Sequence, residues 1–246
     1  MQYDIASKVV ISMGKEAILR RLLDMDPETI ELIEEIPQET TSLRRSDFPM
    51  HVTFKNGQEI IVLLEVQTDF DQNFSLRLIE YYVRFRLKYG LDVIPYVMLF
   101  TPSNQATGSY SDRALTFNYQ VIRFWELNSK DYLNEIWLYP FLPLMCEGET
   151  LLSEAEKTIY ESKEISDEKK ADLLTAMAIF AGFKDEDLAI QLIRRRRDIM
   201  MKSPTYEILM EEIEKERKDK WIREGLEQGL EQGLEQGLEQ GLEQGL

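Results

Sequence analysis

The spacing of hydrophobic residues changes along the chain, and each change predicts a helix or a strand. Residues 4–23 carry apolar side chains at the three- and four-residue spacing of a helix. A second helix is predicted from Asp26 to about Ile36, because aspartate caps helices well and Pro27 suits the first helical position. Residues 74–89 again show a helical stripe, so a further helix is expected there.

Strand-like patterns lie between and after these helices. The segments 48–54 and 60–66 flank an Asn-Gly pair, which is a strong signal for a β-hairpin. The second of these segments is apolar at almost every position, which is typical of a central strand. Further strands are predicted at 93–100 and 115–127. A strand, a helix and a strand joined by short links predict a crossover with parallel pairing.

Only helical patterns follow Pro143, at 151–163, 167–181, 185–202 and 205–223. The expected fold class is therefore α/β, a mixed sheet flanked by helices, with a C-terminal helical appendage. We divide the chain into a core at 1–145, a helical region at 146–223 and a repeat tail at 224–246.

The hairpin brings two carboxylates together in one of its two registers. A two-residue turn at Asn56-Gly57 would pair Asp47 with Val66 and leave Asp47 and Glu65 on opposite faces. A three-residue loop with Gly57 in the left-handed conformation shifts the register by one and sets Asp47 opposite Glu65. We favour the second register because it also gathers the apolar side chains of both strands on one face.

Two carboxylates at the open end of the hairpin form a candidate site for a hard divalent cation. Mg²⁺ takes oxygen ligands, and Mn²⁺ is the alternative ion. The backbone carbonyl of Val66 is suited to join Asp47 and Glu65 as a ligand, with water and a substrate phosphate completing the shell. Gln67 lies two residues after Glu65 and therefore points to the same face.

Composition restricts the setting in which this site would work. The chain has 246 residues, enough for one large or two modest domains. A single cysteine, Cys146, rules out an intramolecular disulfide and suits a reducing compartment. The first residues lack a secretory signal pattern, and no apolar run reaches the length of a membrane span. We expect a cytoplasmic protein without membrane contact.

The net charge of −16 argues against broad affinity for nucleic acid. Residues 224–246 supply six glutamates and no basic residue, so the remainder carries −10. Basic residues are clustered at Arg44, Arg45, Arg77, Arg84, Arg86, Lys88 and 194–197. A local basic groove with a bound metal would still allow contact with DNA. The run 194–197 is interpreted as a solvated helix face whose positive charges balance part of the negative charge of the many acidic residues.

Four stretches of the chain, together with its repeated tail, carry a family resemblance. They are residues 3–8 (Tyr-Asp-Ile-Ala-Ser-Lys), 45–47 (Arg-Ser-Asp), 64–67 (Leu-Glu-Val-Gln) and 75–82 (Ser-Leu-Arg-Leu-Ile-Glu-Tyr-Tyr). In these stretches the chain resembles the Rpn recombination-promoting nuclease and transposase family, a branch of the PD-(D/E)XK nucleases. The resemblance covers residues 1–130 well and the helical part loosely.

The resemblance implies a PD-(D/E)XK restriction-endonuclease-like core and a Mg²⁺-dependent DNA endonuclease associated with recombination or mobile elements. Asp47 and Glu65 carry over as metal ligands, and Gln67 as the residue that orients water or contacts phosphate. Gln67 stands where many of these nucleases have lysine, and glutamine cannot lower the pKa of water by charge. The alternative is a catalytically weak or inactive nuclease-fold protein that acts as a binding or scaffolding module.

Other residues are candidates for the same site. Arg77 and Tyr81 stand one helical turn apart and are assigned to substrate binding, with Arg77 pairing with a phosphate. The alternative is a structural arginine–glutamate pair and a core tyrosine. Many nucleases of this fold add an acid from the first helix, and the candidates are Asp4, Glu16, Glu31 and Glu35. His51, the single histidine, is interpreted as a packed residue in preference to a catalytic one.

The tail repeats the tetrapeptide Gly-Leu-Glu-Gln from Gly225 to Leu246. Leucines four residues apart advance by about 40° per repeat on a helix, so their stripe winds around the axis. Each glycine costs an isolated helix about 1 kcal/mol relative to alanine. We expect a marginal helix or a disordered segment, and the alternative is a weak element for homo-oligomer formation.

Overall fold

The computed structural model of the protein describes residues 2–33, 48–68, 73–103, 105, 107–208 and 210–211. The described strands are β1 (Pro27–Leu32), β2 (Phe48–Phe54), β3 (Glu59–Gln67), β4 (Asp92–Leu99), β5 (Ser109–Ser111), β6 (Thr116–Asn118) and β7 (Gln120–Arg123). The α-helices are α1 (Gln2–Arg21), α2 (Phe74–Tyr89), α3 (Gly148–Glu161), α4 (Asp167–Gly182) and α5 (Glu186–Met200). Segments of 3₁₀ helix occupy Phe124–Glu126, Ser129–Tyr132 and Ile136–Leu144.

Five of these strands form one mixed sheet in the order β1-β2-β3-β4-β7. The first three are mutually antiparallel, whereas β4 is parallel to β3 and β7 is parallel to β4. Helix α2 joins β3 to β4 as the predicted crossover, and Gly90 ends it with a φ of +69° that glycine adopts readily. Helices pack on both faces of this sheet, which confirms the α/β class with a mixed sheet flanked by helices.

The hairpin between β2 and β3 adopts the predicted three-residue loop. Phe48 lies opposite Leu64, and the pairing stays in step along both strands. The backbone N–H of Phe54 donates to the carbonyl of Gln58 at 2.9 Å, so three residues remain in the loop. Gly57 has a φ of +82°, as the bulged loop requires. The register preferred from the sequence is therefore confirmed.

Strand β3 is buried on both of its faces. Val62 and Leu64 pack into the large core that includes α1, while Ile61 and Leu63 pack under α2. All four side chains are fully buried. Each such side chain contributes about 1.5–3 kcal/mol to the stability of the fold. This double burial fixes both the position of β3 and the direction of every side chain on it.

The helix predicted from Asp26 is wrong, because residues 27–32 form the edge strand β1. Half-buried Ile30 and Leu32 alternate with exposed Glu31, which is the two-residue period of a strand. Pro27 is tolerated because it lies at the first residue of an edge strand. The end of the predicted helix lies outside the described residues.

Asp26 makes ion pairs in place of the predicted helix cap. Its carboxylate accepts a hydrogen bond from the Lys55 ammonium in the hairpin loop at 3.0 Å and lies 3.2 Å from the Arg20 guanidinium. The hydrogen bond and charge of Lys55 hold the pKa of Asp26 below its usual value. The Asp26 carboxylate therefore forms a tertiary contact that links α1, the start of β1 and the hairpin loop.

The single strand predicted at 115–127 is divided into shorter elements. Strand β6 pairs with β5, whereas β7 joins the main sheet beside β4. The break falls at Tyr119, whose backbone N–H donates to the carbonyl of Gly108 at 2.9 Å. A 3₁₀ segment begins at Phe124, so the last predicted strand residues are helical.

Helices α3, α4 and α5 lie close to their predicted positions and share a core with α1 and the sheet. The ring of Phe180 on α4 lies 5.3 Å from that of Phe100, which follows β4, and 5.2 Å from that of Phe141. Residues 204–208 begin the fourth predicted helix, whose remaining residues mostly lie outside the described part, as does the repeat tail. Within the described part, no helix combines the length and apolarity needed to cross a membrane.

Replacement of Gly57 by alanine is expected to destabilise the protein by about 1–2 kcal/mol, because a left-handed φ is unfavourable for residues with a Cβ. A Cβ at this position meets no atom within 4 Å, so the cost comes from the backbone alone. Gly57→Asn should cost less, since asparagine tolerates this conformation. Denaturant unfolding of both variants measures the difference, and equal stability of wild type and Gly57→Ala would contradict the bulged loop.

Candidate functional site

Glu65 lies near the end of strand β3, two residues before the strand ends at Gln67. It pairs with Val97 of β4. Its side chain lies on the same face of the sheet as those of Ile61 and Leu63, which pack under α2. Its residue is 4% exposed, and it is one of two buried carboxylates in the described part of the chain. Because a charged carboxylate is costly to bury, such a group is retained where cations or hydrogen-bond donors meet it.

Gln67 shares the face of Glu65 and is half-buried. Its side-chain Nε2 donates a hydrogen bond to the backbone carbonyl of Val66 at 3.0 Å. The carbonyl predicted as a metal ligand therefore already accepts one hydrogen bond. This contact holds the Gln67 side chain against its own strand.

The carboxyl ends of β3 and β4 stay together beyond the last paired strand residues. The backbone N–H of Phe100 donates to the carbonyl of Gln67 at 3.2 Å, and the Thr101 hydroxyl donates to the carbonyl of Thr68. These bonds fix the backbone next to Glu65 and Gln67. The candidate site thus stands on rigid strand ends, which favours precise placement of side chains.

Asp47, the other predicted metal ligand, lies outside the described residues. The described ladder starts with Phe48 opposite Leu64, one pair short of the predicted pair of Asp47 with Glu65. Among the described residues, no group of three or more histidine, cysteine, aspartate or glutamate side chains is arranged to hold a metal ion. The described part of the site therefore supplies one carboxylate, one carbonyl oxygen and one carboxamide.

Tyr81 and Arg77 lie on α2, over the face that carries Glu65. Tyr81 is 3% exposed and packs in one cluster with Leu63, and the Arg84 guanidinium lies 5.2 Å from the centroid of its ring. The ring of Tyr81 therefore belongs to the core. Arg77 is half-buried, with its guanidinium 5.9 Å from the ring centroid of Phe74. The roles assigned to both residues in substrate binding stay predictions.

The acids proposed from the first helix lie away from Glu65. Asp4 pairs with Lys8 at 2.9 Å and Glu16 pairs with Arg20 at 2.9 Å, and both acids are exposed. Helix α1 packs against Val62 and Leu64, on the face of the sheet opposite to Glu65. Of the other two candidates, Glu31 lies exposed on β1, and Glu35 is outside the described residues.

His51 lies in the middle of β2, opposite Ile61, and its side chain contacts a residue nearer the hairpin loop. Its Nε2 lies 2.8 Å from Oε2 of Glu59, the first residue of β3. Because Glu59 precedes Glu65 by six residues, the two glutamates are about 20 Å apart along the strand. His51 is half-buried and has Glu59 as a local partner, and the interpretation of its role stays a prediction.

The sequence interpretation missed a second buried carboxylate, Glu156 on α3. Arg195 and Arg196 of α5 contact its two oxygens at 2.6 and 2.7 Å, and Arg196 also lies 4.1 Å from the ring centroid of Tyr160. Only part of the run 194–197 is therefore a solvated face: Arg194, Arg195 and Arg197 are exposed, whereas Arg196 is half-buried. The acid precedes its partners by about forty residues, so no local sequence signal indicates the pairing.

Comparison of the chain with protein-family models, with curated proteins and with solved structures found no match in any of the three. The assignment of function rests on the residues and their geometry.

Replacing Tyr81 by alanine should lower the free energy of unfolding by about 3–5 kcal/mol, because it removes a buried ring from the cluster under α2. Tyr81→Phe keeps the ring and should cost much less. Denaturant unfolding of the two variants separates the ring from the hydroxyl. A Tyr81→Ala variant as stable as wild type would show that the ring is not part of the core.

Proposed function

We propose that the chain is a Mg²⁺-dependent DNA endonuclease that hydrolyses phosphodiester bonds, with the PD-(D/E)XK core and Rpn family membership that its motifs suggest. The observation that carries the proposal is the burial of Glu65 at the end of the central strand. On this strand face the carboxylate directly follows two buried apolar side chains, Ile61 and Leu63. Burying it there lowers stability in return for a fixed anionic group, which is typical of functional sites.

The metal ligands would be Asp47, Glu65 and the carbonyl of Val66. The hairpin register supports this set, because continuing the ladder by one pair would set Asp47 against Glu65. The donors are all oxygens, which suits Mg²⁺ or Mn²⁺. A bound ion would supply positive charge to the phosphate oxygens and to an attacking water.

The protein's own groups would position the reactants. Gln67 shares the face of Glu65, and its carboxamide offers both a donor and an acceptor for orienting a water molecule. Because glutamine carries no charge, it orients the water without lowering its pKa. Turnover slower than that of a lysine-containing enzyme is the chemical consequence.

DNA would approach through α2, where Arg77 is assigned to a phosphate. This helix carries four basic residues, Arg77, Arg84, Arg86 and Lys88, and one acid, Glu80. A local positive surface of this kind offsets the repulsion that a chain of net charge −16 exerts on nucleic acid. Association of the activity with recombination or mobile elements follows from the family resemblance alone.

A second candidate function is a nuclease-fold protein without turnover that acts as a binding or scaffolding module. The bond from Gln67 to the Val66 carbonyl favours this alternative, because it ties up the side chain that would otherwise orient water. The high net negative charge favours it as well.

Purified protein with Mg²⁺ or Mn²⁺ is expected to cut supercoiled plasmid, and Glu65→Ala or Glu65→Gln should abolish cutting. The loss should exceed about 100-fold, since removing even an outer partner of a metal ligand costs about 10–100-fold. Glu59→Gln is the matched control, because it changes a glutamate at the far end of the same strand. Gel quantification of nicked and linear plasmid gives the rates.

A further variant separates the two functions. Gln67→Lys introduces the charged residue found at this position in the nucleases that the chain resembles. The variant should cut plasmid at least as fast as the wild-type protein. Absence of cutting by both wild type and Gln67→Lys, with DNA binding retained, would establish the scaffolding function. Cutting that survives Glu65→Gln would refute the assigned site.

A further inference from the structure

Helix α2 carries an apolar stripe on the side that faces away from the sheet. Its residues are Leu76, Val83 and Leu87, which are 50%, 46% and 81% exposed. Their spacing of seven and four residues places them on one line along the helix. They are half of the six exposed large hydrophobic side chains in the described part of the chain. We refer to these three residues as the α2 outer stripe.

A basic residue directly follows each member of the α2 outer stripe. Arg77 follows Leu76, Arg84 follows Val83, and Lys88 follows Leu87. A step of one residue turns a helix by about 100°, so the three basic residues form a row on one flank of the stripe. Glu80 also lies on this flank, so the outer side of α2 combines an apolar line with a flank of three basic residues and one acid.

The repeat tail at 225–246 has the same pattern with the opposite charge. Each of its leucines except the last is followed directly by glutamate, as in Leu230-Glu231 and Leu234-Glu235. A helix built from this repeat would carry a leucine line, a glutamate row about 100° to one side and a glycine row on the other. The glycines would let another helix approach closely.

We propose that the tail 225–246 docks as a helix on the α2 outer stripe of the same molecule. Leucines would cover Leu76, Val83 and Leu87, and glutamates would lie beside Arg77, Arg84 and Lys88. The apolar line and the charged row stand in the same relation on both helices and carry opposite charges, so the surface fits this segment better than an apolar helix without charge.

The pattern also fixes the length and direction of the docked segment. The outer stripe spans the twelve residues 76–87, which is about 16 Å of helix from end to end. Tail leucines are about 6 Å apart and drift by about 40° per repeat, so three or four of them can face α2 together. On both helices the charged row lies one residue after the apolar line, and so on the same side of it when each helix is viewed from its N-terminus. Two such helices packed face to face bring their charged rows together only when they run antiparallel. The tail should therefore run antiparallel to α2.

Docking within one molecule is favoured by the short connection. Thirteen residues lie between Glu211 and the first repeat, and they span about 20 Å if the predicted helix continues through them and about 44 Å if they are extended. Such a tether keeps the tail at an effective concentration of about a millimolar near its own α2. Weak contacts then suffice, which agrees with a helix that glycines make unstable in isolation. The inference does not depend on nuclease activity, although a tail at Arg77 and a phosphate at Arg77 would exclude one another.

Cysteine cross-linking in the full chain tests this contact. In a Cys146→Ser background, Leu87→Cys is combined with Leu234→Cys and treated with a short bis-maleimide. The expected product is an internally linked monomer that forms about tenfold faster than in a Leu115→Cys/Leu234→Cys control, because docking raises the local concentration. Leu115 is a matched control since it is 41% exposed and lies between β5 and β6, away from α2. Far-ultraviolet circular dichroism checks that each variant is folded.

Charge removal provides the second measurement. Glu231→Gln, Glu235→Gln and Glu239→Gln together should slow the cross-link at position 87 several-fold and leave the one at position 115 unchanged. Equal rates at positions 87 and 115 would overturn the proposal. A product of doubled mass as the main species would overturn it in favour of a second copy, and insensitivity to the glutamine substitutions would overturn the charge match.

Discussion

The double burial of strand β3 is the constraint on which the rest of the structure depends. One face of β3 packs on the core that includes α1, and the other packs under α2. Antiparallel pairing on one side and parallel pairing on the other fix its position in the sheet. The side chains of residues 60–65 are therefore kept from solvent, so Glu65 is held where the strand directs it. The candidate chemistry is a consequence of this arrangement.

The two buried carboxylates in the described part of the chain, Glu65 and Glu156, lie in different parts of the fold. Glu156 lies between helices α3 and α5 and meets two arginines, so its charge is balanced by the fold itself. Truncating one member of such a network costs several kcal/mol, commonly about 3–5. Glu65 lies at the carboxyl end of the parallel strands β3 and β4, on the strand face that also carries Gln67. The first arrangement stabilises helix packing, and the position of the second is the basis of the proposed site.

Sequence patterns predicted the elements whose signals are local. The hairpin loop, its register and the crossover through α2 follow from Asn56-Gly57, from alternation and from the helical stripe of 74–89, and the structure has all three. The edge strand β1 was mistaken for a helix because Asp26-Pro27 is also a helix-start signal. Only the tertiary pairing of β1 with β2 decides between the two.

Long-range contacts explain what the sequence could not reveal. The stacking of Phe100 against Phe180 and the pairing of Glu156 with α5 join residues far apart in the chain. The same limit applies within the candidate site. The facing of Glu65 and Gln67 follows from strand alternation, whereas the bond from Gln67 to the Val66 carbonyl depends on a side-chain conformation that no pattern specifies.

Metal-dependent thermal stability tests most directly whether the strand end holds a divalent ion. Two carboxylates that share an ion repel each other without it, so binding to the folded state should raise the melting temperature. Addition of about 10 mM Mg²⁺ or Mn²⁺ should raise it by about 2–4 °C for each kcal/mol of binding energy in a chain of this size. The Asp47→Asn/Glu65→Gln double variant should not respond. No rise in the wild type, or an equal rise in the double variant, would contradict metal binding at Glu65.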